Sequence, residues 1–114
     1  MKLLSEILYK VRLEATVGST HIAISSVTLD SRKVKKDSLF IATVGTQVDG
    51  HKFIESAIDQ GAIAIVCEQI PSVQKKEITY IKVTSASSAL GIIACNFFDN
   101  PSEKIKLVGV TGTN

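Results

Sequence analysis

Hydrophobic positions change their period several times along the chain, and each change marks an element. Leu3, Leu4, Ile7, Leu8 and Val11 fall on one stripe at helical spacing, with Glu6 and Lys10 opposite, which predicts a helix over residues 2–11. Gly18-Ser19-Thr20 breaks that pattern. Ile22, Ile24, Val27 and Leu29 then alternate as in a strand, with a shift at Ser25-Ser26 that suggests a bulge. A polar, basic turn over 30–37 leads to a short strand over 39–44 and a loop over 45–50. Asp49 or Gly50 suits the start of a helix reaching Gln60, with Phe53, Ile54, Ala57 and Ile58 inward and Gly61 as its stop. Residues 62–67 are apolar throughout and read as a buried strand. An exposed loop over 71–77 precedes a strand over 79–83. Ser85 caps a second helix, in which Ala86, Ala89, Leu90, Ile93 and Phe97 repeat at helical spacing until Asn100-Pro101. A last strand over 105–110 runs into Thr111-Gly112-Thr113-Asn114.

Strands alternating with helices predict βαβ units, hence an α/β fold: a mixed β-sheet flanked by helices as a three-layer sandwich. One of the two strands ahead of the first crossover helix is free to run antiparallel. Composition agrees with a folded domain, since 45% of the 114 residues are hydrophobic and 21% charged. The 13 Lys and Arg exceed the 11 Asp and Glu by only two, too little for a nucleic-acid-coating protein. No apolar run approaches the roughly 18 residues of a membrane span, and Glu6 and Lys10 interrupt any signal-peptide core. A soluble, cytoplasmic domain with no nucleic-acid or membrane partner is expected.

The reactive side chains are sparse. Cys67 and Cys95 lack a C-x-x-C pattern and read as inert core or near-core thiols; no metal site is expected. His21 and His51 read as surface histidines. Lys33, Lys35 and Lys36 form a solvated turn bracketed by Asp30 and Asp37. Three loops carry more. Leu29-Asp30-Ser31-Arg32 leaves a strand end, where open α/β sheets bind ligands. There the Ser31 hydroxyl suits a base or ribose, and Arg32 suits either a diphosphate or a lock on Asp30. The stretch from Gly45 through Thr46, Gln47, Val48 and Asp49 to Gly50 links a strand to a helix and offers backbone N–H groups and the Gln47 amide. The terminal Gly109-Val110-Thr111-Gly112-Thr113-Asn114 starts like a phosphate-cradling loop without its lysine, as the front of a longer chain would.

In order and spacing, these segments resemble the N-terminal domain of MurE-type Mur ligases. The resemblance is carried by Leu29-Asp30-Ser31-Arg32-Lys33-Val34, Ser38-Leu39-Phe40-Ile41-Ala42, Asp49-Gly50-His51-Lys52-Phe53-Ile54, Gly61-Ala62, Ala64-Ile65-Val66-Cys67-Glu68 and the Gly-Val-Thr-Gly-Thr-Asn ending. It implies that residues 1–100 are the domain holding the uridine-diphosphate end of a UDP-N-acetylmuramoyl-dipeptide. Residues 101–114 would be the linker, first strand and opening of the ATP loop of a central domain. The complete enzyme would phosphorylate the D-glutamate carboxylate with ATP and magnesium and join it to the third stem-peptide amino acid in peptidoglycan synthesis. The fragment itself would bind no cofactor, hold no catalytic residue and be inactive.

Matched position by position, the family's uridine pocket falls on Leu29, Ser31, Thr46, Gln47 and Val48, and its ATP loop on Thr111, Gly112, Thr113 and Asn114. Thr46 stands where family members often carry histidine, and Val110 stands at the first Walker glycine. A MurF-type N-terminal domain and a non-catalytic nucleotide-sugar-binding or interaction module remain the alternatives.

Overall fold

A computed structural model describes residues 2–44 and 50–98. Its elements are β1 (Lys2–Leu3), α1 (Leu4–Ile7), β2 (Leu13–Val17), β3 (Ala23–Ile24), β4 (Ser26–Thr28), β5 (Ser38–Ile41), α2 (Ile54–Gln60), β6 (Ala62–Cys67), β7 (Thr79–Val83) and α3 (Ala86–Phe97). Short 3-10 turns cover Ser31–Lys33 and Gly50–Phe53. The main sheet has five strands in the order β2-β7-β6-β5-β4. Its last four run parallel, and β2 pairs antiparallel with β7. This is the expected mixed sheet between helices.

Alternation explains the layers. Leu39 and Ile41 of β5, Ala64 and Val66 of β6, and Ile81 and Val83 of β7 turn to one face, where Leu4 and Ile7 of α1 and Ala86, Ala89 and Ile93 of α3 cover them. Phe40, Ala62, Ile65, Cys67 and Tyr80 turn to the other, against Ile54 and Ala57 of α2 and Val34 of the connection after β4. A sheet covered on both faces needs the near-continuous apolar runs that β5 and β6 carry. Gly61 ends α2 at φ +130°, with its N–H on the Ala57 and Ile58 carbonyls. Ser85 accepts from the Ser88 N–H at the start of α3, as expected.

Several expectations are corrected. The stripe over 2–11 is buried at Leu4, Ile7, Leu8 and Val11, yet it is not one helix. Lys2 and Leu3 pair with Ile24 and Ala23, α1 is four residues long, and Lys10 turns the chain at φ +70°. Asn96 of α3 donates to the carbonyls of Ile7 and Tyr9, so the chain end of α1 is satisfied from outside. The suggested bulge at Ser25 is instead a passage between two sheets: β3 belongs with β1 and β4 with β5. Ser25 holds that corner through its N–H on the Asp37 carbonyl and its hydroxyl on the Lys36 carbonyl. Three strands of the main sheet precede α2: β4 and β5, the two that patterning suggested, are parallel, and the antiparallel member is β2, which sequence patterning had left unassigned.

The second predicted helix also starts later. Gly50–Phe53 is a 3-10 turn, α2 begins at Ile54, and Phe53 at its N-cap is 40% exposed rather than inward. The terminal helix ends at Phe97, while Asn100-Pro101 and the strand expected over 105–110 lie outside the described residues. Among the described residues no helix is long and apolar enough to cross a membrane.

Candidate functional site

The four parallel strands end on one side of the sheet, and connections rather than side chains of the strands build what lies beyond them. Past β4 and β5 is a hollow of about 510 Å³. One wall is the connection after β4, with Leu29, Asp30, Ser31 and Arg32; the other is made by Thr43, Gly50 and Phe53 around the following connection. This is where an open α/β sheet presents backbone and loop groups to a ligand.

The first wall is set by Asp30. Its N–H donates to the Thr28 hydroxyl, and its carboxylate accepts from the Arg32 N–H, Nε and Nη2 at 2.9, 3.1 and 3.1 Å. The Lys33 N–H closes the turn on the Asp30 carbonyl. Hydrogen bonds from Arg32 hold the Asp30 carboxyl below its ordinary range, and Asp30 in return raises Arg32. Of the two roles open for Arg32, the lock on Asp30 is thus formed, while its guanidinium stays 87% exposed. The stability this pair gives is small at such exposure; it is present above the ordinary carboxylate range and lost as pH falls through the depressed value. Ser31 sits between them, half-buried, with its hydroxyl making no hydrogen bond to another described residue. Leu29 stands 52% exposed.

The second wall depends on a close approach. The Gly50 N–H donates to the Thr43 carbonyl at 2.7 Å, drawing the two ends of the 45–49 segment together. A Cβ at residue 50 would lie 2.8 Å from that carbonyl oxygen and 2.9 Å from the Thr43 nitrogen. His51 then pins the turn to the exit of β6: its Nε2 accepts from the N–H groups of Glu68 and Gln69 at 3.0 and 3.2 Å. Two donors on Nε2 fix the acceptor role of that nitrogen. Glu68 in turn accepts from the Ala86 N–H at the head of α3. His51 is therefore a half-buried structural residue rather than the expected surface histidine, whereas His21 is exposed.

The structure brings Leu29 and Ser31 into one hollow with Thr43, which precedes the second predicted loop, and Gly50, which belongs to it. Thr46, Gln47 and Val48 lie outside the described residues, as do Thr111, Gly112, Thr113 and Asn114. Sequence patterning missed Phe53, which it had placed in the core. Among the described residues no group of three or more His, Cys, Asp or Glu side chains could hold a metal ion. Cys67 is buried with its Sγ donating to the Ile81 carbonyl, and burial pushes its thiol up to about 11. Cys95 is exposed rather than near-core. It lines a larger groove of about 850 Å³ between α1 and α3 that holds none of the predicted site residues.

Sheet, hollow and motif order together place the chain in a class of enzyme modules: residues 23–98 match the Mur ligase family, catalytic domain, and the chain belongs to that family. Its curated relatives narrow the class. It is 47% identical over 112 residues to the UDP-N-acetylmuramoyl-L-alanyl-D-glutamate--2,6-diaminopimelate ligase of Cytophaga hutchinsonii, covering 97% of this chain and 23% of the relative. The ligase of the same name from Bacteroides fragilis is 45% identical over 111 residues, again 97% and 23%. Among solved structures, MurF ligase from Thermotoga maritima in complex with ADP aligns at TM-score 0.55 and 31% identity, over 66% of this chain and 17% of that one. MurF from Acinetobacter baumannii aligns at 0.54 and 26%, over 60% and 15%. The chain thus spans about a quarter of the length of the curated relatives it matches.

Proposed function

We propose that this chain is the uridine-nucleotide-binding part of a cytoplasmic, ATP-dependent ligase that adds the third stem-peptide amino acid to UDP-N-acetylmuramoyl-L-alanyl-D-glutamate in peptidoglycan synthesis. The observation that carries the reading is the juxtaposition of Leu29 and Ser31 with Thr43 and Gly50 around one hollow. Leu29 offers an apolar surface to the base and Ser31 an uncommitted hydroxyl to the nucleotide. Thr46, Gln47 and Val48 complete the pocket from the segment that Thr43 and Gly50 flank. The relatives named above act, by their names, with 2,6-diaminopimelate, which supports that amino acid as the incoming amine. The MurF-type alternative has solved structures as neighbours at 26–31% identity, below the 45–47% of these diaminopimelate ligases.

The division of labour follows. Residues 1–100 hold the nucleotide end, while 101–114, with Thr111, Gly112, Thr113 and Asn114, link to and open the ATP loop of a central domain. ATP and magnesium supply phosphoryl transfer in the complete protein. The described residues do not fit a metal site, and their part is to bind and orient the nucleotide. The chain by itself is expected to hydrolyse no ATP.

In the full-length protein, Ser31→Ala and Gln47→Ala are each expected to weaken the UDP-linked substrate by about 2- to 10-fold, the loss of one hydrogen bond. Calorimetric titration reads this directly. Unchanged affinity in both variants would overturn the pocket.

A further inference from the structure

We infer that Phe53 is a further binding residue of this site, whose ring stacks on the face of the base across from Leu29; the inference rests on the uridine-nucleotide reading above. An apolar ring normally goes to the core, and its neighbours Ile54 and Ala57 do so at 4% and 0% exposure. Phe53 stays out because the chain enters α2 through a 3-10 turn: at the N-cap, with φ −105° and ψ 7°, it stands ahead of the stripe that faces the sheet. It is left 40% exposed on the wall of the hollow, with Leu29 at 52% on the same cavity.

Both side chains stand on fixed mounts. The Phe53 turn is tied at Gly50 to Thr43, at His51 to the β6 exit, and at Ile54 to the core. The Leu29 turn is tied by Thr28 and by the Arg32 fork on Asp30. A flat heterocycle entering between preordered apolar groups loses little ordering entropy on their side, and its faces leave water. Its polar edge then meets Ser31. Every base has a π-face, so the ring supplies affinity, and the groups at the edge supply the choice of base.

The test compares UDP with 5,6-dihydrouridine 5′-diphosphate, which keeps the same edge groups but has a puckered, non-aromatic ring. On the full-length protein, Phe53→Leu is expected to weaken UDP by about 5- to 50-fold, in the range of one lost base–aromatic stack. It is expected to erase most of the wild-type preference for UDP over the dihydro analogue. Phe53→Tyr should restore both, and the uracil H6 resonance should move upfield on binding to wild type and Phe53→Tyr only. Unfolding midpoints check that the variants are folded. Wild-type UDP affinity and preference in Phe53→Leu, with Ser31→Ala still weakened, would overturn the stacking role and leave the nucleotide reading standing. No UDP binding by wild type would overturn both.

Discussion

The closest backbone approach in the site is also its most exacting test. Replacing Gly50 by alanine puts a methyl 2.8 Å from the Thr43 oxygen, 2.9 Å from its nitrogen and 3.1 Å from the Ala42 Cα. All three are backbone atoms at the exit of β5, so no flexible side chain can swing away. Relief requires the 3-10 turn to move off, which breaks the 2.7 Å hydrogen bond from Gly50 to Thr43. One lost hydrogen bond costs about 1 kcal/mol and overpacking about 1–3, so Gly50→Ala should destabilise the chain by about 2–4 kcal/mol. Urea unfolding measures this as a lower midpoint at unchanged slope. Gly91→Ala is the control. Nothing lies within 4 Å of a Cβ there, in the exposed middle of α3, and the same methyl should stabilise by about 0.5–1 kcal/mol. A Gly50→Ala chain that unfolds at the wild-type midpoint, or that falls no further than Gly91→Ala, would refute the close approach.

His51→Ala should cost about 1–3 kcal/mol, because it strips the acceptor from the Glu68 and Gln69 N–H groups. Amide exchange at Glu68 and Ala86 should quicken, and unchanged protection at both would contradict the pinning role. Thiol alkylation near neutral pH should label Cys95 rapidly and Cys67 only on unfolding, with the two sites separated by peptide mapping. The raised Cys67 value adds a pH signature. Its proton is kept in the fold after the unfolded thiol has begun to ionise near pH 9, so this share of stability is whole below that and disappears as pH climbs through about 11. Cys67→Ala should remove that alkaline slope.

How much of this the sequence discloses depends on whether a residue's role is expressed as periodicity. The two-faced strands β5, β6 and β7 and the helix α3 follow from apolar runs and spacing, and the strand-end turn at Leu29–Arg32 follows from composition. β2 was invisible because all five of its residues are exposed and it is held by backbone pairing with β7, which leaves no alternation to read. The 2–11 stripe gave the right buried residues except Leu3, which pairs in β1 and stays 39% exposed, and it gave the wrong hydrogen bonds. Its carbonyls are taken by Asn96, almost a whole chain away. His51 was misplaced for the same reason, since its partners are backbone groups beyond β6. Phe53 illustrates the opposite fault: helical spacing assigned an inward position to a residue that the entry turn rotates out. At the level of the candidate site, motif order drew attention to Leu29 and Ser31, which line the hollow, and nothing local marked Thr43 beside them.

None of the residues lining the hollow belongs to a strand. The scaffold and the lining of the hollow are therefore nearly separable inheritances: under the proposed function, exchanges confined to Leu29–Arg32 or to Phe53 retune which nucleobase is admitted and leave Val34 and Ile54 in the apolar layer they complete. Gly50 is the exception, the hinge-pin at which any such redesign meets the frame that carries it.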